Sequence, residues 1–141
     1  MKQMEQEDDV FDLIEQIVLK AEQNVEEEKY KAALKKFKKA FDLLPLPKDQ
    51  YTIGTYLLSA IGDLFFIIQK FDWAISNLTT ALEFPEGKNN GFIHLRLGQA
   101  YYKKEEMEKA GIHLSKALEL EGEEIFEDEA SIYLDYIMKN S

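Results

Sequence analysis

The chain has 141 residues, a length for one domain, and its 45% hydrophobic content is enough to build a core without covalent staples. It contains no cysteine, which excludes disulfides and thiolate metal sites and fits a reducing compartment. Its 27 Asp and Glu against 17 Lys and Arg give a formal charge of −10, which repels nucleic-acid backbones and anionic membranes and suits either solubility or a basic protein partner.

The acidic opening MKQMEQEDDV lacks the basic flank and apolar stretch of a secretory signal. The longest apolar run, Leu64 to Ile68, falls far short of the ~18 residues of a membrane span. A cytoplasmic protein is expected. Seven helices follow from the periodicity. The first, about 8–25, carries Val10, Leu13, Ile14, Ile17, Val18 and Ala21 on one stripe. The second, about 29–44, repeats Tyr30, Ala33, Leu34, Phe37, Phe41 and Leu44 at helical spacing and is ended by Pro45 and Pro47. Its lysines (Lys29, Lys31, Lys35, Lys36, Lys38, Lys39) read as a solvated outer face, with a basic ligand patch as the other reading. The third helix, about 50–69, is apolar nearly all round and is expected to be central. The fourth, about 72–84, has Asp72 as its expected cap. After the turn-rich Pro85–Gly91, the fifth runs about 91–104 behind a cap at Asn90. The sixth, about 106–120, is stopped by Gly122. The seventh, about 125–139, sets Ala130, Tyr133, Leu134, Ile137 and Met138 against an acidic side. The seven acids from Glu119 to Glu129 read either as a docking patch for a basic partner or as the polar face and acidic first turn of that helix.

One pattern recurs three times. His94-Leu95-Arg96-Leu97-Gly98-Gln99-Ala100-Tyr101 is followed by Ala110, Leu114 and Ala117. Leu58-Ser59-Ala60-Ile61-Gly62-Asp63-Leu64-Phe65 is followed by Ala74, Leu78 and Ala81. A weaker copy has Ile17, Lys20, Ala21 and Asn24, then Ala33, Phe37, Ala40 and Pro45. From Ala33 to Ala74 to Ala110 the offsets are 41 and 36 residues. A unit of about 34 residues with inserts of about seven and two accounts for them. Gly62 and Gly98 lie inside helices, where Gly costs about 1 kcal/mol against Ala, so a close helix–helix approach has to offset that cost.

This pattern resembles the tetratricopeptide repeat (TPR), over residues ~14–122. The resemblance implies an all-α solenoid, a single domain over 1–141. It would hold three helix pairs, at approximately 14–47, 55–88 and 91–124, and a C-terminal capping helix at 125–139. Departures are visible: His94 and Leu58 stand where Trp is usual, and Lys20 and Asn24 replace a usual Leu and Tyr, as suits a terminal repeat whose outer side meets water.

No catalytic constellation is present: there is no Gly-rich phosphate loop, and the two histidines lie on different helices, His94 expected packed and His113 exposed. The chain reads as a non-enzyme without metal or cofactor. In TPR proteins the first helix of each pair lines a concave groove. The resemblance places Tyr56, Ser59, Asp63 and Phe66 there, with Phe92, Leu95, Gln99 and Tyr102, and Arg96 beside them, in the next repeat. The first repeat adds Glu15, Val18, Glu22 and Val25. Four aromatics in this set form either an interaction groove for a protein segment or a surface covered by the capping helix or a dimer partner. The matching positions lack the Lys and Asn of TPR domains that hold a free C-terminal carboxylate; only Arg96 would serve.

The expected function is non-catalytic protein binding. Phe92–Gln99 with the tail Gly122–Glu129 looks like small bacterial TPR proteins found beside polymorphic toxins, which implies an immunity-type role against a basic toxin. The alternatives are a secretion-type chaperone for an apolar segment and a self-assembling scaffold; the oligomeric state stays open.

Overall fold

The computed structural model describes the backbone of residues 2–140 and the side chains of residues 8–140. It is all-α. The helices are α1 (Lys2–Glu26), α2 (Tyr30–Asp42), α3 (Thr52–Ile67), α4 (Phe71–Ala81), α5 (Gly91–Lys103), α6 (Met107–Glu121) and α7 (Ser131–Lys139). Short 3-10 turns at Lys48–Gln50, Gly87–Asn89 and Glu123–Phe126 join them. α1 packs on α2, α3 on α4 and α5 on α6. Each pair then stacks on the next through α2–α3 and α4–α5, and α7 closes the end against α6.

The small residues of the recurring pattern sit where the helices touch. Ala21, Ala33, Ala40, Ala74, Ala81, Ala110 and Ala117 are all fully buried. A Cβ built on Gly62 would lie 2.5 Å from Leu78 Cγ, and one on Gly98 2.5 Å from Leu114 Cγ, so each glycine admits the bulky residue of its partner helix. Leu78 and Leu114 have no exposed surface. One core runs from Ile14 to Leu97. A second joins Leu95, Leu114 and Ala117 to Phe126, Tyr133 and Ile137 of the C-terminal segment.

The three turns inside the pairs are the same turn. Glu28, Gln69 and Glu105, spaced like the repeat, all take left-handed φ values of 58–64°. The following amide bonds back in each case: Lys29 N to Asn24 O (2.7 Å), Lys70 N to Phe65 O (2.8 Å) and Glu106 N to Tyr101 O (2.9 Å). This bond satisfies a carbonyl that the helix end would otherwise leave free. The links between pairs differ. After α2, with a cis Leu46–Pro47 bond in the link, Lys48 Nζ donates to the carbonyls of Phe41, Asp42 and Leu44 at 2.8–3.1 Å, placing a cation on the negative helix end. Before α5, Asn90 caps as expected, its side chain accepting from Ile93 N at 3.1 Å.

Four local expectations are corrected. Asp72 does not cap α4, which starts one residue earlier behind Lys70. Asp72 instead pairs with Lys104. Leu13 is 43% exposed although it belongs to the apolar stripe of α1. α7 begins at Ser131 rather than about 125, so the acids from Glu119 to Glu129 precede it and its first turn carries none. His113 is half-buried, not exposed: it stacks on His94 and on Tyr101. His94 Nε2 donates to Lys88 O at 2.8 Å, so its Nδ1 accepts from His113 Nδ1 at 3.0 Å. Burial, and then neighbouring His94, lower the His113 pKa to about 4.

Candidate functional site

α3 presents Thr52, Tyr56, Ser59 and Asp63 along one side, each three or four residues from the last and so on one face. α1 brings Glu22 and Val25 alongside, and the link before α5 brings Pro85, Glu86 and Asn90, with Phe92 in the first turn of α5. Together they enclose a pocket of about 510 Å³. Its floor includes Phe37, Ala60 and Leu64, and its rim is polar or acidic.

The walls are fixed by specific bonds. The Tyr56 hydroxyl donates to Glu22 Oε2 at 2.8 Å, and its ring meets Phe37 edge-on. Burial first, then the hydrogen bond and charge of Glu22, push the Tyr56 phenol well above its ordinary pKa, so it stays a donor. Thr55 Oγ1 donates to Pro85 O at 2.8 Å and ties α3 to the link before α5. Ser59, 7% exposed, turns its hydroxyl back to Thr55 O at 2.7 Å.

Beyond Asp63 the same face changes character. The Arg96 guanidinium lies over the Phe66 and Phe92 rings, at 5.2 and 5.0 Å from their centres. Its Nε donates to Asp63 at 2.6 Å, and one terminal nitrogen donates to Gln99 at 2.6 Å and Glu129 at 2.5 Å. Burial works against the Arg96 charge, and the Asp63 and Glu129 carboxylates more than offset it, so its pKa rises. Gln99 donates to the same Glu129 oxygen at 2.6 Å. Leu95 is buried in the second core, and Tyr102 meets Tyr133 and Tyr136 of α7 edge-on.

Of the residues marked from the sequence in the first repeat, Glu22 and Val25 line the pocket, Val18 is buried in the core and Glu15 is exposed outside the pocket lining; the nine from the second and third repeats divide along the face. Tyr56, Ser59, Asp63 and Phe92 line the pocket. Leu95, Gln99 and Tyr102 face the chain's own C-terminal segment, and Phe66 and Arg96 mark the boundary beside Glu129. Thr52, Thr55, Glu86 and Asn90 were not marked. The first two continue the α3 stripe toward its N-terminus and were readable from that spacing. Glu129 was not, because a loop 33 residues beyond Arg96 delivers it.

Among the described residues no group of His, Cys, Asp and Glu is placed to hold a metal ion, and no helix is long and apolar enough to cross a membrane. No protein-family model and no curated protein matches the sequence. Solved structures do match. The TPR domain of Arabidopsis OM64 is 17% identical with a TM-score of 0.75, over 94% of this chain and 99% of that one. The Yersinia enterocolitica type III secretion chaperone SycD, in complex with a peptide of the translocator YopD, is 17% identical with a TM-score of 0.72, over 91% and 92%. The first TPR of Spaghetti (RPAP3), bound to the HSP90 peptide SRMEEVD, is 18% identical with a TM-score of 0.69, over 89% and 88%. The fold is that of a TPR domain.

Proposed function

We propose that this protein is a non-catalytic interaction module that holds a segment of another protein in the pocket across α1, α3 and the start of α5. The observation that carries the reading is the pocket itself: an open, mostly apolar hollow with aromatic walls, on helices whose side chains are already locked by Glu22, Thr55 and Arg96. Preformed walls cost little to order when a guest arrives. Pockets of this size bury a few side chains well. Two solved structures of the same fold hold peptides of other proteins, which supports the same use here.

Two narrower roles fit. A chaperone of secretion type, keeping an apolar segment covered before export, is favoured by the likeness to SycD. An immunity-type role, masking a basic toxin, is favoured by the net charge of −10. Both act in the cytoplasm, where a cysteine-free chain loses nothing to reduction.

A photo-crosslinking residue at position 56 tests the module. In cells of the source organism it is expected to trap a discrete partner, whereas the same residue at position 73, the exposed Trp73 of α4, traps none. Equal adducts at both positions, or none at 56, would remove the pocket as the binding site.

A further inference from the structure

Resting on that reading, the geometry points to the chemistry of the guest: an apolar side chain with a lysine or arginine immediately beside it. Glu22, Asp63 and Glu86 reach the pocket from α1, from α3 and from the link before α5, and among the described residues no Lys, Arg or His lines it. The nearest guanidinium, Arg96, is shared between Asp63 and Glu129 and pairs with neither Glu22 nor Glu86. Among the described residues Glu22 accepts only from the neutral Tyr56 hydroxyl. Glu86, exposed at the rim, enters no ion pair among the described residues.

An apolar floor beneath unbalanced carboxylates selects strongly. An acidic guest would meet like charges at the rim and be disfavoured by them. A purely apolar guest would fill the floor and leave the rim charge as it was. A guest carrying both satisfies both, and its ammonium or guanidinium can also lie against the Tyr56 ring. The overall charge of −10 would speed the arrival of such a segment.

The test is selection of random twelve-residue peptides displayed on phage against the whole protein. The same library is run in parallel on Glu22→Gln/Glu86→Gln and on Tyr56→Ala/Phe92→Ala, with circular dichroism confirming that each variant is folded. Wild type is expected to enrich peptides with Lys or Arg adjacent to a large apolar residue. The double glutamine variant should keep the apolar preference, lose the basic one, and bind a selected basic peptide about tenfold more weakly. Raising the salt should weaken wild type toward that variant. Enrichment of apolar peptides without basic residues, or of acidic ones, overturns the charge inference and leaves the pocket standing. Identical enrichment on the Tyr56→Ala/Phe92→Ala variant overturns the pocket and the inference together.

Discussion

Gly98 and Gly111 show how differently one residue type behaves at two points of the last helix pair. A Cβ on Gly98 would meet Leu114 Cγ at 2.5 Å and the Leu114 backbone nitrogen at 2.9 Å, whereas one on Gly111 has nothing nearer than the Tyr136 ring at 3.6 Å. Alanine gains about 1 kcal/mol of helix propensity at either position, but overpacking in a tight contact costs about 1–3 kcal/mol. Gly98→Ala is therefore expected to lower stability by up to about 2 kcal/mol and Gly111→Ala to raise it by about 0.5–1 kcal/mol, read from urea denaturation midpoints. Equal effects at both positions would contradict the role given to Gly98. The close helix approach at Gly98 was legible beforehand, because a glycine inside an apolar helix needs a reason; that Leu114 makes the contact came from the structure. The stacking of His113 was not: its helical position looked outward, and only the pairing of α5 with α6 puts it against His94 and Tyr101.

At the scale of an element, the turn at Glu28, Gln69 and Glu105 was invisible in the sequence. Glu and Gln carry no signal for left-handed backbone, and only the repeat spacing marks them as equivalent. The conformation is held by the amide that bonds back to the preceding helix, so these residues adopt it against an intrinsic cost of about 1 kcal/mol. Gln69→Gly and Glu105→Gly should each relieve part of that cost and raise stability by about 0.5–1 kcal/mol. A thermal melt checks this, and a decrease at both sites would mean that the side chains do more than tolerate the turn. The start of α7 was misjudged for a related reason. Periodicity carries through 125–139, but Phe126 is buried at 5% in a 3-10 turn and Glu129 is held by Arg96 and Gln99, so the helix starts only after both are placed.

For the molecule as a whole, stacked pairs touch only their neighbours, and damage at one end should stay there. Phe126→Ala removes the aromatic ring that seats the C-terminal segment on Leu95, Leu114 and Ala117, at an expected cost of about 3–4 kcal/mol. Hydrogen exchange should then quicken in α5, α6 and α7 while α1 and α2 keep their protection. Uniform quickening along the chain would instead mean one indivisible cooperative unit. The solenoid and its order of helices were legible because each pair repeats one local rule. The division of the inner face was not, because it depends on a contact across 33 residues between Arg96 and Glu129.

That contact acts as a built-in end stop. With Glu129 seated on Arg96 and Gln99, the α5 end of the inner face is taken up by the chain's own loop, and its open part lies at α1 and α3. A guest bound as proposed would meet the α1–α3 half, where the first copy of the repeat drifts furthest from its siblings. The drift that looks like decay in an alignment of the copies is thus free to serve as the discriminating half of the molecule, while the well-kept third copy spends its inner surface on its own tail.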